Sequence, residues 1–157
     1  MCSSDLPFGP SSQIAIDGKG RMAVPARYRD PLAAACDGQM IVTVDPDECL
    51  LVYPLPAWEA VEHELVSLAN LDRRARQLQR ILMGYATEIA MDAQGRLQLT
   101  PLLRKFAHLE SRGMLIGQGN KFELWAEEHW NARQAEWMND LRQEDGEMSA
   151  ALQKLSI

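Results

Sequence analysis

Ile16-Asp17-Gly18-Lys19-Gly20-Arg21, early in the chain, returns 75 positions later as Met91-Asp92-Ala93-Gln94-Gly95-Arg96. Arg29 and Arg104 stand at the same separation. Beyond each copy lies a short apolar run, at 40–44 in the first and 114–116 in the second. An aromatic pair follows, Tyr53 with Trp58 and then Trp125 with Trp130, now 72 positions apart, so the second copy is a few loop residues shorter. One Asp-x-x-Gly-Arg carries little information. Two, each leading into the same order of elements, indicate a duplicated module.

Each copy has the chemistry of strands joined by tight turns. Ser12, Ile14 and Ile16 alternate with other residues as a half-buried strand requires. In Asp17-Gly18-Lys19-Gly20 the aspartate can bond its own backbone and glycine accepts positive φ, which predicts a turn. Residues 21–24 then resume an extended path. Pro25 suits the first position of a helix, where its missing N–H costs nothing. In the second copy Thr100 is the expected N-cap and Pro101 the first helical residue. Residues 41–44 and 49–53 flank Asp45-Pro46-Asp47-Glu48, and 114–117 and 121–125 flank Gln118-Gly119-Asn120, which predicts two hairpins.

Helical spacing links Trp58, Val61, Leu65 and Leu68 in 56–69, then Ala75, Leu78, Ile81 and Leu82 in 72–83, and Trp130, Trp137 and Leu141 in 127–142. Residues 148–155 read as a further short helix or a frayed tail. The fold class is therefore α+β. Two tandem β-modules, at 8–56 and 84–126, are related by pseudo-two-fold symmetry; a helical connection fills 57–83 and C-terminal helices fill 127–157. A module of about 50 residues has little interior of its own. The two are expected to share a core, and further copies to join them in an oligomer.

Charge is unevenly placed. The chain is 46% hydrophobic and 24% charged, as globular proteins are, and carries a net charge of −6. Residues 32–71 hold seven acids and no Lys or Arg, whereas 72–105 hold seven basic residues against three acids. Residues 14–30 are also net positive, through Lys19, Arg21, Arg27 and Arg29. An acidic whole can thus present a basic face, which leaves nucleic acid open as a partner.

Other classes lack their signatures. No apolar run approaches the roughly 18 residues of a membrane span, and the first ten residues lack the basic and apolar regions of a secretory signal. Cys2, Cys36 and Cys49 are odd in number and far apart, which fits a reducing cytosol better than a disulfide framework. His63, His108 and His129 share no metal-ligand spacing with one another or with a cysteine. No phosphate-binding loop is present. Asp17 and Asp92 are explained by their turns without any acid–base chemistry. No enzyme, metal, cofactor, small-molecule substrate or membrane partner is expected.

The residues also resemble a known family. Asp-Gly-Lys-Gly-Arg-Met-Ala-Val-Pro-Ala-Arg-Tyr-Arg (17–29) and Asp-Ala-Gln-Gly-Arg-Leu-Gln-Leu-Thr-Pro-Leu-Leu-Arg (92–104) are similar to the two signatures of MraZ proteins. Arg-Arg-Ala-Arg-Gln-Leu-Gln-Arg-Ile-Leu-Met-Gly (73–84) and Asn-Lys-Phe-Glu-Leu-Trp (120–125) are similar to the family's linker and closing strand. The resemblance implies two AbrB-like modules of the swapped-hairpin type, assembled into a homo-oligomeric ring. It further implies a transcription regulator on double-stranded DNA, in the cytoplasm and on the nucleoid, at repeated elements upstream of the division and cell-wall gene cluster. Carried over, the DNA-binding residues are Lys19, Arg21, Arg27, Arg29, Arg96 and Arg104. Two departures stand out. Phe8 takes the place of the family's early Phe, with Gly9-Pro10 after it; residues 1–7 are an extension, an expression scar or a misplaced start, and are left out of the fold. Gln94 replaces lysine in the second signature, so the first module is expected to bind DNA more strongly.

Blander readings stand beside these. Arg21 and Arg96 could each pair with the turn aspartate and only hold the bend. Arg73, Arg74, Arg76 and Arg80 could be a phosphate-contacting face, a solvated one, or partners for Glu59, Glu62 and Glu64 across a subunit boundary. The four tryptophans suit core or interface anchors better than base-stacking platforms. The acids Glu127, Glu128, Glu136, Asp140, Glu144, Asp145 and Glu147 outweigh Arg133 and Arg142 near the C-terminus, which favours the main alternative, a ring-forming protein-interaction scaffold without DNA contact. A nearer alternative keeps the DNA and makes the chain an antitoxin-like regulator.

Overall fold

A strand buried on both faces needs an apolar side chain at nearly every position, and the runs at 40–44 and 49–53 supply them. In the computed structural model, which describes residues 8–68, 72–143 and 150–155, both runs are interior strands of a six-stranded antiparallel sheet. In chain order the elements are β1 (Ser12–Ala15), β2 (Arg21–Ala23), α1 (Ala26–Cys36), β3 (Gln39–Asp45), β4 (Cys49–Pro54), α2 (Leu55–Leu68) and α3 (Arg73–Tyr85). The second repeat supplies β5 (Thr87–Ala90), β6 (Arg96–Gln98), α4 (Pro101–Phe106), β7 (Arg112–Gly117) and β8 (Phe122–Ala126), followed by α5 (Glu127–Arg142) and α6 (Ala150–Gln153).

Side chains alternate across the central hairpin. Met40, Val42 and Val44 of β3 join Leu50 and Val52 of β4 in one core layer. Ile41, Leu51 and Tyr53 point the other way and pack on Trp58, Leu65 and Leu82 of α2 and α3. Thr43 is the polar residue in that second layer and is fully buried. Its hydroxyl donates to the Leu82 carbonyl, one of the carbonyls that the end of α3 leaves without a helical partner. Leu68, Leu78 and Ile81 also fall on the apolar spacing, yet they are 51%, 41% and 42% exposed. The face that α2 and α3 turn to the sheet is narrower than the stripe the sequence writes.

The sheet runs β1-β7-β8-β4-β3-β5. The first strand of each repeat therefore lies along the hairpin of the other. Ile14 stands opposite Gly113 in the β1–β7 pair, and Ile89 opposite Met40 in the β5–β3 pair. The two hairpins meet where Leu50 of β4 faces Leu124 of β8. A separate ribbon joins β2 to β6. The two modules expected from the sequence are thus interleaved rather than set side by side, which is how two short repeats share one interior.

Helix starts follow the expected chemistry. The Thr100 hydroxyl accepts from Leu103 N, with Pro101 in the first helical turn, and Asp72 caps α3 through Ala75 N. Pro25 sits one position earlier than expected, as the residue before α1. Phe8, 5% exposed, stacks on Phe122 at 4.1 Å and meets Tyr28 edge-on, so it anchors the start of the first strand. Residues 1–7, and with them Cys2, lie outside the described residues; Cys36 and Cys49 are free thiols.

The chain divides into two units, the second beginning at Glu128. Within that unit the Trp130 and Trp137 rings meet edge to face at 5.6 Å, and the Arg133 guanidinium lies over Trp137. Of the stretch expected at 148–155, α6 covers four residues. Among the described residues no helix is long and apolar enough to cross a membrane.

Candidate nucleic-acid interface

Each signature turn is tied by one aspartate. Asp17 Oδ1 accepts from the backbone N–H of Lys19 and of Arg21, both at 2.9 Å, and Oδ2 accepts from Arg21 Nε at 2.7 Å. The backbone closes the turn through Gly20 N to Asp17 O and Asp17 N to Arg21 O. Asp92 repeats every one of these contacts, with Gln94 N and Arg96 N at 2.9 Å and Arg96 Nε at 3.0 Å. The turn residues were chosen by the sequence for local reasons, and the same local reasons hold twice.

The β2–β6 ribbon links the turns, one at each of its ends. Its register pairs Arg21 with Gln98, Met22 with Leu97, and Ala23 with Arg96. Met22 and Leu97 point inward and are almost fully buried. Alternation then puts Arg21, Ala23, Arg96 and Gln98 on the opposite, outer face. Arg21 and Arg96 are diagonal neighbours there, a spacing of about 7–8 Å between backbones. Two guanidinium groups from distant parts of the sequence thus share one surface, with side chains 29% and 30% exposed.

The glycines explain how the turns stay in place. Gly20 and Gly95 have φ of +82° and +76°, where side chains are strained. They are also covered. A Cβ on Gly20 would lie 2.5 Å from Arg104 Nε, and one on Gly95 would collide with the Cδ and Nε of Arg29. Arg29 Nε donates to Val24 O at 2.7 Å and Arg104 Nε to Leu99 O at 3.3 Å. The backbone crosses in the same sense, Val24 N to Gly95 O and Leu99 N to Gly20 O. Each repeat's helix therefore holds down the other repeat's turn.

Hydrogen bonds from the Arg21 backbone, helped by its side chain and by Lys19 N, bring the Asp17 carboxyl from 3.8 to about 2. Asp92 is lowered for the same reason, with Arg96 first. A depressed carboxylate supports the fold above its unfolded value and loses that contribution as pH falls through its folded one. Turn one should therefore hold at pH 4 and loosen only towards pH 2. A carboxyl titration followed by NMR should place the Asp17 midpoint near 2; a midpoint at 3.8 would mean that the turn's hydrogen bonds do not persist in solution. Elsewhere, burial raises the Cys49 and Cys36 thiols and pushes Tyr53 up to about 12, as expected of core groups without a chemical role.

The six residues expected to meet DNA do not all occupy the same place. Lys19, Arg21 and Arg96 gather on the ribbon and its first turn. The Lys19 ammonium meets no partner among the described residues, while its carbonyl accepts from Gln98 Nε2. Arg29 and Arg104 lie against the turns, half-buried. Arg27 is directed to the start of the first strand: Nη2 donates to Ser12 Oγ at 2.6 Å and to Pro10 O, and the guanidinium lies 4.6 Å over the Tyr28 ring. Gln98 was not singled out by the sequence, although its place two residues beyond Arg96 on a strand puts it on the arginines' face. Arg73, Arg74, Arg76 and Arg80 are exposed on α3 and make no ion pair among the described residues. No cluster of three or more metal-ligating side chains occurs among the described residues.

Two α+β repeats that exchange strands and set a matched pair of arginine-bearing turns on one ribbon define a tandem-repeat protein whose special chemistry is at the turns. A family profile described as "MraZ protein, putative antitoxin-like" matches the chain twice, over residues 8–81 and 82–151. The chain belongs to the MraZ family. It is 51% identical over 150 residues to the protein named "Transcriptional regulator MraZ" of Thioalkalivibrio sulfidiphilus (strain HL-EbGR7), covering 96% of this chain and 99% of that one. It is 44% identical to the protein of that name from Halorhodospira halophila (strain DSM 244 / SL1), with the same coverage. With the one from Pseudomonas aeruginosa (strain LESB58) it shares 50% over 126 residues, 80% of this chain and 83% of that one. These names describe regulators and not enzymes.

Proposed function

We propose that this chain is a sequence-specific DNA-binding transcription regulator acting on repeated elements upstream of the division and cell-wall gene cluster. The observation that carries this reading is the common outward face of Arg21 and Arg96, with Lys19 in the adjoining turn, on a protein whose net charge is −6. Basic groups there neutralise phosphates and fix register, and the ribbon offers an element of the width that a major groove admits. The names of the relatives support the same role. Lys19, Arg21 and Arg96 make the first contacts; Arg29 and Arg104 act beside them, and Arg27 contributes from the start of the first strand.

The interleaved strands support assignment of the repeats as AbrB-like swapped hairpins, with modules at 8–56 and 84–126 and helical segments at 57–83 and 127–157. Assembly into a homo-oligomeric ring is supported by the outer faces of α2 and α3. Glu59, Glu62 and Glu64 on one and Arg73, Arg74, Arg76 and Arg80 on the other find no partner within the described residues, and Leu78 and Ile81 are exposed among them. Complementary faces on one protomer can pair head to tail and close a ring. Several protomers on adjacent repeats then raise the effective concentration of each contact. The cytoplasm, on the nucleoid, is the matching location.

A footprint on DNA from the chain's own upstream region, beside its mass in solution, tests the reading. Affinity should fall log-linearly with salt, with a slope of about −0.9 for each phosphate contacted. A ring whose association with that DNA is absent or insensitive to salt would instead be the protein-interaction scaffold.

A further inference from the structure

Gln94 occupies the position that Lys19 holds in the first repeat, and the two residues treat their arginines differently. Arg21 and Arg96 are otherwise matched: each gives Nε to its turn aspartate, and their side-chain exposures differ by one percentage point. In the second repeat, however, Arg96 Nη2 also donates to Gln94 Oε1. In the first, lysine has no acceptor to offer, and among the described residues the Nη atoms of Arg21 meet no hydrogen-bond partner. The aspartate takes Nε of each guanidinium. Only in the second repeat is Nη2 also engaged.

We infer that Gln94 competes with DNA for the Nη2 donor of Arg96, so that the residue at position 94 sets how much the second repeat contributes to binding. This rests on the regulator reading above. Two-pronged recognition of a phosphate or of a guanine edge uses the paired donors of a guanidinium. An amide oxygen already holding one of them must be displaced first. Lysine at the same position has the opposite effect, since it leaves both donors exposed and brings a second positive charge. The asymmetry between the repeats therefore has two parts, one of charge and one of donor availability. The second part is visible only in the geometry.

The two parts separate by substitution in the full-length chain. Labelling with phenylglyoxal in the absence of DNA, followed by peptide mass spectrometry, reads the availability of each guanidinium. Arg96 should react faster in Gln94→Ala than in the wild type, while the rate at Arg21 stays constant. An unchanged rate at Arg96 overturns the proposal whether or not the chain binds DNA. On DNA from the chain's upstream region, Gln94→Ala should bind about two- to tenfold tighter, the range of one exposed hydrogen bond. Gln94→Lys should gain more and steepen the salt dependence by about one counterion per site engaged. The gain from Gln94→Ala should vanish in an Arg96→Ala background. Weaker binding by Gln94→Ala, or a gain that survives without Arg96, would show Gln94 acting by another route. Failure of the wild type itself to bind would sink the regulator reading alone, because the labelling rates are read without DNA.

Discussion

Arg21→Ala is expected to weaken binding to the upstream DNA by at least about fivefold, from the roughly 1–3 kcal/mol that one two-pronged guanidinium contact to a base is worth, and by more where several copies lose it together. The mass in solution and the unfolding temperature should stay close to wild type, because the residue lies on the outer face of the ribbon and its partner is a surface carboxylate. The rival explanation is that Arg21 only steadies the turn. Asp17→Asn separates the two. An asparagine oxygen still accepts from Lys19 N and Arg21 N, but the ion pair to Arg21 Nε is gone, which releases the guanidinium. If Arg21 serves DNA, Asp17→Asn retains binding and Arg21→Ala does not. If both variants lose binding together with thermal stability, the arginine belongs to the turn and the site has been placed wrongly.

Gly20→Ala is expected to cost about 2–4 kcal/mol of stability, combining backbone strain at positive φ with overpacking against a side chain held in place. The new Cβ would meet Arg104 Nε at 2.5 Å and Leu99 O at 2.9 Å. The backbone oxygen cannot move without opening the Leu99 N to Gly20 O bond between the repeats. Gly18, in the same turn, is the internal control. Nothing lies within 4 Å of its added Cβ and its φ is not positive, so Gly18→Ala should change stability by no more than about 0.5 kcal/mol. Chemical denaturation of both variants checks the contrast. Equal effects would mean that Arg104 does not cover the first turn in solution.

Much of the local structure was legible because it is decided by neighbours in the chain. The turns at Asp17 and Asp92, the cap at Thr100 and the two hairpins each depend on a few consecutive residues. So does the outward direction of Arg21 and Arg96, since each follows its turn by a fixed count. What depends on partners distant in sequence was not legible. Nothing in Ser12–Ala15 states that it will lie beside β7, and the short strand Thr87–Ala90 gains its identity from β3. Arg29 and Arg104 could be matched as equivalent positions, but not seen to reach across to Gly95 and Gly20. Leu78 and Ile81 kept the spacing of a core stripe without entering the core, because α3 turns only part of that stripe to the sheet. The helix through Pro31 is a further case: proline interrupts a helical pattern when read alone, and here burial of Tyr28 and Leu32 outweighs it.

The crossing of strands and arginines between repeats has a consequence for ancestry. Half of this chain, taken alone, would lack a neighbour for its first strand and a lid for its turn, so a single repeat would need a second copy to supply both. In such a pair any change at a bend is made in both bends at once. Joining the copies in one chain lifts that restriction, and a lysine on one side with a glutamine on the other is a difference that a pair of identical molecules could not keep.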